Sequence, residues 1–195
     1  MKRLCVYCGS STGRSKDYTD AAMELAETVI RCNIDLVFGG SSAGMMGLLA
    51  DAVLAGGGTV HGVIPRSLLE KEVAHPGLTE MHVVESMHER KAMMAMLSDG
   101  FIALPGGFGT LEELTEILVE RQLSHHQKPL VLVSPDGFWD PLLAQFERMV
   151  VDGLLKREYL GLMTVVPDAA GAIAAIEKSA GAGEAGPNPA GVAGA

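Results

Sequence analysis

The chain has 195 residues, of which 48% are hydrophobic, 20% charged and 5% aromatic, and its 15 Lys+Arg against 24 Asp+Glu give a formal net charge of −9. That length suits a single domain that buries about 70% of its unfolded surface without help from disulfides or structural metal. The acidity argues against sequence-independent nucleic-acid binding and a polybasic membrane anchor, and no apolar run reaches the ~18 residues of a transmembrane helix.

Met1-Lys2-Arg3 precedes an apolar run of only four residues, Leu4–Tyr7, which Gly9-Ser10-Ser11 ends. This is too short for a signal peptide, so a cytoplasmic protein is expected. Leu4–Cys8 reads as the first strand. Ala21, Ala22, Leu25, Ala26, Val29 and Ile30 place a helix over about 17–31. Leu36–Phe38 is a second strand running into Gly39-Gly40, with a small-residue helix over about 43–55. Val60–Ile64 and Met81–Val84 are further strands, and the long stretch between them predicts an irregular loop. A methionine-rich helix follows over about 88–98, where Met93, Met94 and Met96 suit core or interface packing. Phe101–Leu104 is a strand cut by Pro105-Gly106-Gly107. A helix over about 111–124 comes next, then a strand at Leu130–Val133 and a helix near 139–152. A short helix after Leu154, a strand at Met163–Val166 and a helix near 168–178 complete the pattern. Continuous apolar strands alternating with helices predict parallel βαβ units, hence a doubly wound α/β sandwich over residues 1–179. The tail 180–195 holds only Ala, Gly, Pro, Glu, Asn and Val, a composition expected to stay disordered.

Cys5, Cys8 and Cys32 are an odd set without a disulfide pattern. Cys5 and Cys8 match C-x-x-C, but within a strand their spacing sends the two thiols to opposite faces, which predicts structural rather than redox cysteines.

Three strands end in glycine-rich turns: Cys8-Gly9-Ser10-Ser11, Gly39-Gly40-Ser41-Ser42-Ala43-Gly44 and Pro105-Gly106-Gly107-Phe108-Gly109-Thr110. In an open parallel sheet such turns converge on the ligand crevice at the strands' carboxyl ends. Backbone N–H groups at a helix N-terminus bind phosphate there without net positive charge. Gly39 and Gly44 lack the lysine of a P-loop, and Glu112 stands where a dinucleotide fingerprint has its third glycine. Thr110-Leu111-Glu112-Glu113 has capping-box spacing, Thr110 as N-cap and Glu113 as N3, which accounts for Glu113 as fully as a role in the crevice does. In Ser86-Met87-His88-Glu89-Arg90-Lys91, two cations open a helix where the dipole disfavours them. Either an anionic ligand or surface pairing with Glu85 or Glu89 explains that placement. His88 reads as a cap or an exposed side chain, and His125-His126 as solvated.

Gly39-Gly40-x-x-x-Gly44-x-Met46-Gly47, Met87-His88-x-Arg90-Lys91 and Pro105-Gly106-Gly107-x-Gly109-Thr110-x-x-Glu113 together resemble the Lonely Guy family of phosphoribohydrolases, long labelled lysine decarboxylases. The resemblance runs from about Cys5 to Phe146. It implies a Rossmann-like, three-layer αβα homodimer that hydrolyses the N-glycosidic bond of adenosine 5′-monophosphates, AMP-like or N6-prenylated. Free base and ribose 5-phosphate would be released, with no metal and no cofactor. Carried over by motif, Arg90 and Glu113 are the catalytic pair. Lys91, Gly106, Gly107, Phe108, Gly109, Thr110, Leu111, Glu112, Gly39, Gly40, Gly44 and, by a looser match, Glu72 are expected to bind substrate. Val119-Glu120-Arg121-Gln122-Leu123 departs from the family pattern by losing an aromatic and adding charge, which bears on base selectivity and the dimer surface. A non-catalytic nucleotide carrier using the same crevice is the alternative. A decarboxylase would need a Schiff-base lysine that nothing in the sequence identifies.

Overall fold

The computed structural model describes residues 1–69 and 74–182. The expected tail, 183–195, lies outside the described residues, as does Glu72. Seven strands form one sheet: β1 Arg3–Tyr7, β2 Asp35–Phe38, β3 Val60–Pro65, β4 Glu80–Val84, β5 Gly100–Ala103, β6 Leu130–Val133 and β7 Thr164–Val166. All neighbours are parallel, in the order β4-β3-β2-β1-β5-β6-β7. The α-helices are α1 Lys16–Arg31, α2 Gly44–Ala55, α3 Arg66–Leu69, α4 Met87–Leu97, α5 Phe108–Gln122 and α6 Asp140–Val151 between strands, and α7 Ala170–Ala182 after β7. The segment after Leu154 forms a 3-10 helix, Arg157–Leu162.

Side-chain alternation along the strands splits the core into two layers. Leu4, Val6, Leu36 and Phe38 pack with the apolar faces of α1, α2 and α7. Cys5, Tyr7, Val37 and Phe101 pack with Met94 of α4, Leu114 and Ile117 of α5, and Trp139. The outcome is the doubly wound αβα sandwich the strand pattern predicts. Cys5 and Cys8 fall in opposite layers, and burial pushes both thiols well up, away from the thiolate that redox chemistry requires.

The chain builds β1 to β4 outward in one direction, then returns to lay β5 against the other side of β1. The topological switch therefore lies between β1 and β5, where an open α/β sheet leaves its crevice. Backbone bonds seal the two exit turns together: Leu104 N–H donates to Tyr7 O at 2.9 Å and Gly9 N–H to Pro105 O at 3.2 Å.

Three expectations are corrected. Helix α5 begins at Phe108 rather than near residue 111, because Gly107 takes the extended N-cap conformation. The expected loop between β3 and β4 contains the short α3 and, at Ala74, an antiparallel bridge to Ser41. His126 is not solvated; it is half-buried, its ring centroid 5.6 Å from that of Phe101, and burial lowers its pKa, with Lys128 and Arg121 adding to the shift. Of the four methionines in α4, Met94 is fully buried, and Met87 and Met96 are exposed.

Candidate active site

The start of α5 decides the role of Glu113. With Gly107 as N-cap, Thr110 falls at N3 and Glu113 three residues beyond the last of the first turn's orphan donors, so the capping box does not form. The S-x-x-E cap belongs to α4 instead: Ser86 Oγ accepts from Glu89 N–H at 3.1 Å, and Glu89 Oε2 accepts from Glu85 N–H at 3.0 Å. No side chain caps α5, whose first backbone bond runs from Leu111 N–H to Gly107 O. The N–H groups of Phe108, Gly109 and Thr110 thus lack intrahelical acceptors at the positive end of the helix dipole.

Arg90 is buried, and its position removes the conflict with the α4 dipole. Nε donates to Val63 O at 3.1 Å and Nη2 to Gly39 O at 3.2 Å, so the guanidinium rests on carbonyls at the carboxyl ends of β3 and β2. A Cβ on Gly39 would stand 1.9 Å from Nη2, so only glycine admits this approach. Arg90 Nη2 lies 3.9 Å from Glu113 Oε1, close enough for strong attraction and too far for a hydrogen bond.

Glu113 is buried as well, and burial raises its pKa to about 7. Arg90 and Lys91 oppose that rise, and Glu112 and Glu116 reinforce it. Lys91 pairs with Glu112 and Glu116 rather than with Glu85 or Glu89. Partial burial acts to lower the Lys91 pKa, and bonds and charge from those two glutamates outweigh it, so the amine is held charged.

A cavity of about 180 Å³ is lined by Cys8, Gly9, Ser10, Met46, Arg90, Gly107, Phe108, Gly109, Thr110 and Glu113. A second cavity of about 220 Å³ shares Gly9, Ser10 and Gly107 with this lining, and Gly106, Thr12 and Tyr18 also line it. Phe108, 92% exposed, stands at the mouth. Leu111 lines an adjoining groove with Trp139, and Glu112 faces Lys91.

The structure therefore brings Arg90, Glu113 and residues 106–110 together. Gly39, Gly40 and Gly44 line neither cavity. Gly39 seats Arg90, Gly40 turns the chain at φ +77° with its carbonyl accepting from His75 N–H, and Gly44 lies so close to the Ser10–Ser11 backbone that a Cβ would come within 2.4 Å. Cys8, Gly9, Ser10 and Met46 also line the cavity, although the family resemblance did not assign them to substrate. The signal for three of them was present, since Cys8-Gly9-Ser10 is a glycine turn after β1, beside the switch point.

The arrangement offers an anion-binding helix terminus, a buried guanidinium and a buried carboxylate that ionises near neutrality, all at one crevice. A family model described as possible lysine decarboxylase matches residues 46–176. The chain is 47% identical over 178 residues to the probable cytokinin riboside 5′-monophosphate phosphoribohydrolase LOGL9 of Oryza sativa subsp. japonica, covering 91% of this chain and 78% of that protein. It is 47% identical to the cytokinin riboside 5′-monophosphate phosphoribohydrolase LOG of the same plant, covering 87% and 70%. For LOG5 of Arabidopsis thaliana the identity is 46%, covering 87% and 74%. Among solved structures, the molybdenum cofactor carrier protein of Chlamydomonas reinhardtii superposes with a TM-score of 0.68 at 23% identity, covering 92% of this chain and 98% of that one. At that identity the likeness shows a shared fold and no more. The match across residues 46–176 and the identity to the plant proteins carry the conclusion that this chain belongs to the Lonely Guy family, whose family model still bears the decarboxylase description.

Proposed function

We propose that this protein is an N-glycosyl hydrolase that cleaves adenosine 5′-monophosphates, N6-substituted ones included, to free base and ribose 5-phosphate. The observation that carries this reading is the buried Glu113 carboxylate beside Arg90, 3.9 Å away, on the wall of a cavity that an uncapped helix terminus also lines.

As the bond from ribose C1′ to the purine breaks, positive charge builds on the sugar. Ionised Glu113 stabilises that charge and orients or deprotonates the attacking water, whose oxygen joins C1′ while a proton ends on the departing base. The N–H groups of Phe108, Gly109 and Thr110 hold the 5′-phosphate. Arg90 Nη1 has only the weak acceptor Met87 Sδ at 3.8 Å, which leaves it donor capacity for a phosphate or ribose oxygen. Lys91, held between Glu112 and Glu116, keeps those two charges from raising Glu113 further.

No lysine among the described residues lines either cavity, and Lys91 is held charged rather than poised as a neutral amine, so these residues give a Schiff-base decarboxylase no support. No helix among the described residues is long and apolar enough to cross a membrane. A homodimer acting in the cytoplasm completes the proposal. Exposed Val119, Leu123, Val151 and Leu154 supply apolar surface for the dimer contact, which a mass measurement in solution tests.

The deciding experiment incubates the protein with AMP and with N6-isopentenyladenosine 5′-monophosphate and measures free base and ribose 5-phosphate. Release is expected to fall ~10²–10⁴-fold in Glu113→Gln. Release that survives this substitution refutes the mechanism. Binding without release by the wild type would favour a carrier instead.

A further inference from the structure

At the opposite end of the sheet from the crevice, a second cluster of chemistry-bearing side chains spans the first strands. His61 on β3 pairs in register with Glu80 on β4, and His82 follows Glu80 by two residues on the same face. His61 Nδ1 lies 3.1 Å from Glu80 Oε2, and His82 Nε2 lies 3.4 Å from the same oxygen. The two imidazoles are nearly parallel, with an interplanar angle of 22°. All three potential ligand atoms fall within 4.8 Å of one another. His82 Nε2 is shielded from solvent yet has no hydrogen-bond partner among the described residues, its 3.4 Å approach to Glu80 Oε2 not making one. A buried nitrogen aimed at a shared carboxylate is a group that the protein fold alone leaves unsatisfied.

We infer that His61, Glu80 and His82 form a binding site for a divalent transition-metal ion, with Zn²⁺ the best match. Two imidazoles and a carboxylate are the ligand set that zinc takes in three-ligand sites, and imidazole selects against Mg²⁺ and Ca²⁺. Bonds of ~2.0–2.1 Å in a tetrahedron separate ligand atoms by about 3.3 Å, close to the two spacings from Glu80 Oε2. The outer shell is also in place. His61 Nε2 faces Asp35 Oδ2 at 3.4 Å, and that oxygen is in turn 3.6 Å from Arg3 Nε, so His61 can donate its second N–H to a carboxylate while Nδ1 ligates. Glu80 is half-exposed, which leaves the fourth position to water.

The site would join β3 to β4, the edge strand of the sheet. These same strands position Arg90: Val63 O on β3 accepts its Nε, and β4 leads through Ser86 into α4. The inference is independent of the proposed hydrolase activity, because its ligands lie outside both crevice cavities.

The test strips the full-length protein with a chelator and titrates it with Zn²⁺ against a chromophoric competitor, with Mg²⁺ as the control ion. The wild type is expected to bind one Zn²⁺ per chain, to unfold at a higher temperature when loaded, and to give the intense visible absorption of tetrahedral cobalt with Co²⁺. Glu80→Gln and His82→Ala should each weaken Zn²⁺ binding at least tenfold, and Asp35→Asn by about 10–100-fold. His61 is buried and its replacement can fail to fold, so the half-exposed Glu80 and partly exposed His82 carry the test. His125→Ala, at the exposed pair with Glu120, should change nothing. Equal affinity in wild type, Glu80→Gln and His82→Ala, or no binding by the wild type, overturns the inference.

Discussion

Replacing Glu113 by glutamine should make the protein more stable, and by an amount that depends on pH. Burial lifts the carboxyl from 4.5 to about 7, so the folded chain keeps a proton that the unfolded chain has released. For an acid raised in this way, the group's contribution to stability is fully present below 4.5. It is lost as pH rises through about 7, above which the ionised carboxylate is a fixed cost. The shift from 4.5 to about 7, at 1.36 kcal/mol per pKa unit, sets that cost at about 3 kcal/mol. Glutamine mimics the neutral acid and avoids it. Thermal unfolding of both proteins near pH 4.5 should show little difference. Near pH 9 the variant should melt higher, by roughly 6–12 °C for a chain of this size. A difference that does not vary with pH, or a variant less stable at high pH, would refute the claim that Glu113 is held in a desolvated site. An accompanying loss of hydrolysis would show a stability–function trade-off at one carboxylate.

The same ionisation should place an acid limb in kcat/KM near pH 7, with activity rising as Glu113 loses its proton; because Arg90 lowers the Glu113 pKa, the residual activity of Arg90→Gln should show that limb at higher pH. Gly39→Ala forces a methyl to within 1.9 Å of Arg90 Nη2, so kcat/KM should fall by about 10²-fold while circular dichroism reports an intact fold. Gly44→Ala sets a Cβ 2.2 Å from the Ser10 backbone at φ +57°, and should cost roughly 2–5 kcal/mol in denaturant unfolding.

The alternation of apolar strands and helices was local information. Runs such as Leu4–Tyr7 and Leu130–Val133 are long enough for a buried strand and too short for a helix, so the doubly wound sheet was legible in the chain. The motifs likewise marked Arg90, Glu113 and the 106–110 turn before any geometry was known. Only the tertiary structure decided what those residues do. Thr110-x-x-Glu113 and Ser86-x-x-Glu89 have the same capping-box spacing. Ser86 and Glu89 do cap α4, whereas the extended backbone of Gly107 starts α5 before Thr110 and leaves Glu113 to the crevice. Arg90 looked like a cation at the wrong end of a helix until β2 and β3 supplied its carbonyl acceptors. Burial, which sets the ionisation of Glu113, depends on contacts between α5, β1 and α4 that no local pattern records. The same holds for His61, Glu80 and His82. Nineteen residues separate His61 from Glu80, and only the register of β3 against β4 makes them neighbours. Periodicity sets which elements form because it acts over a few residues, whereas sites arise where elements distant in sequence meet.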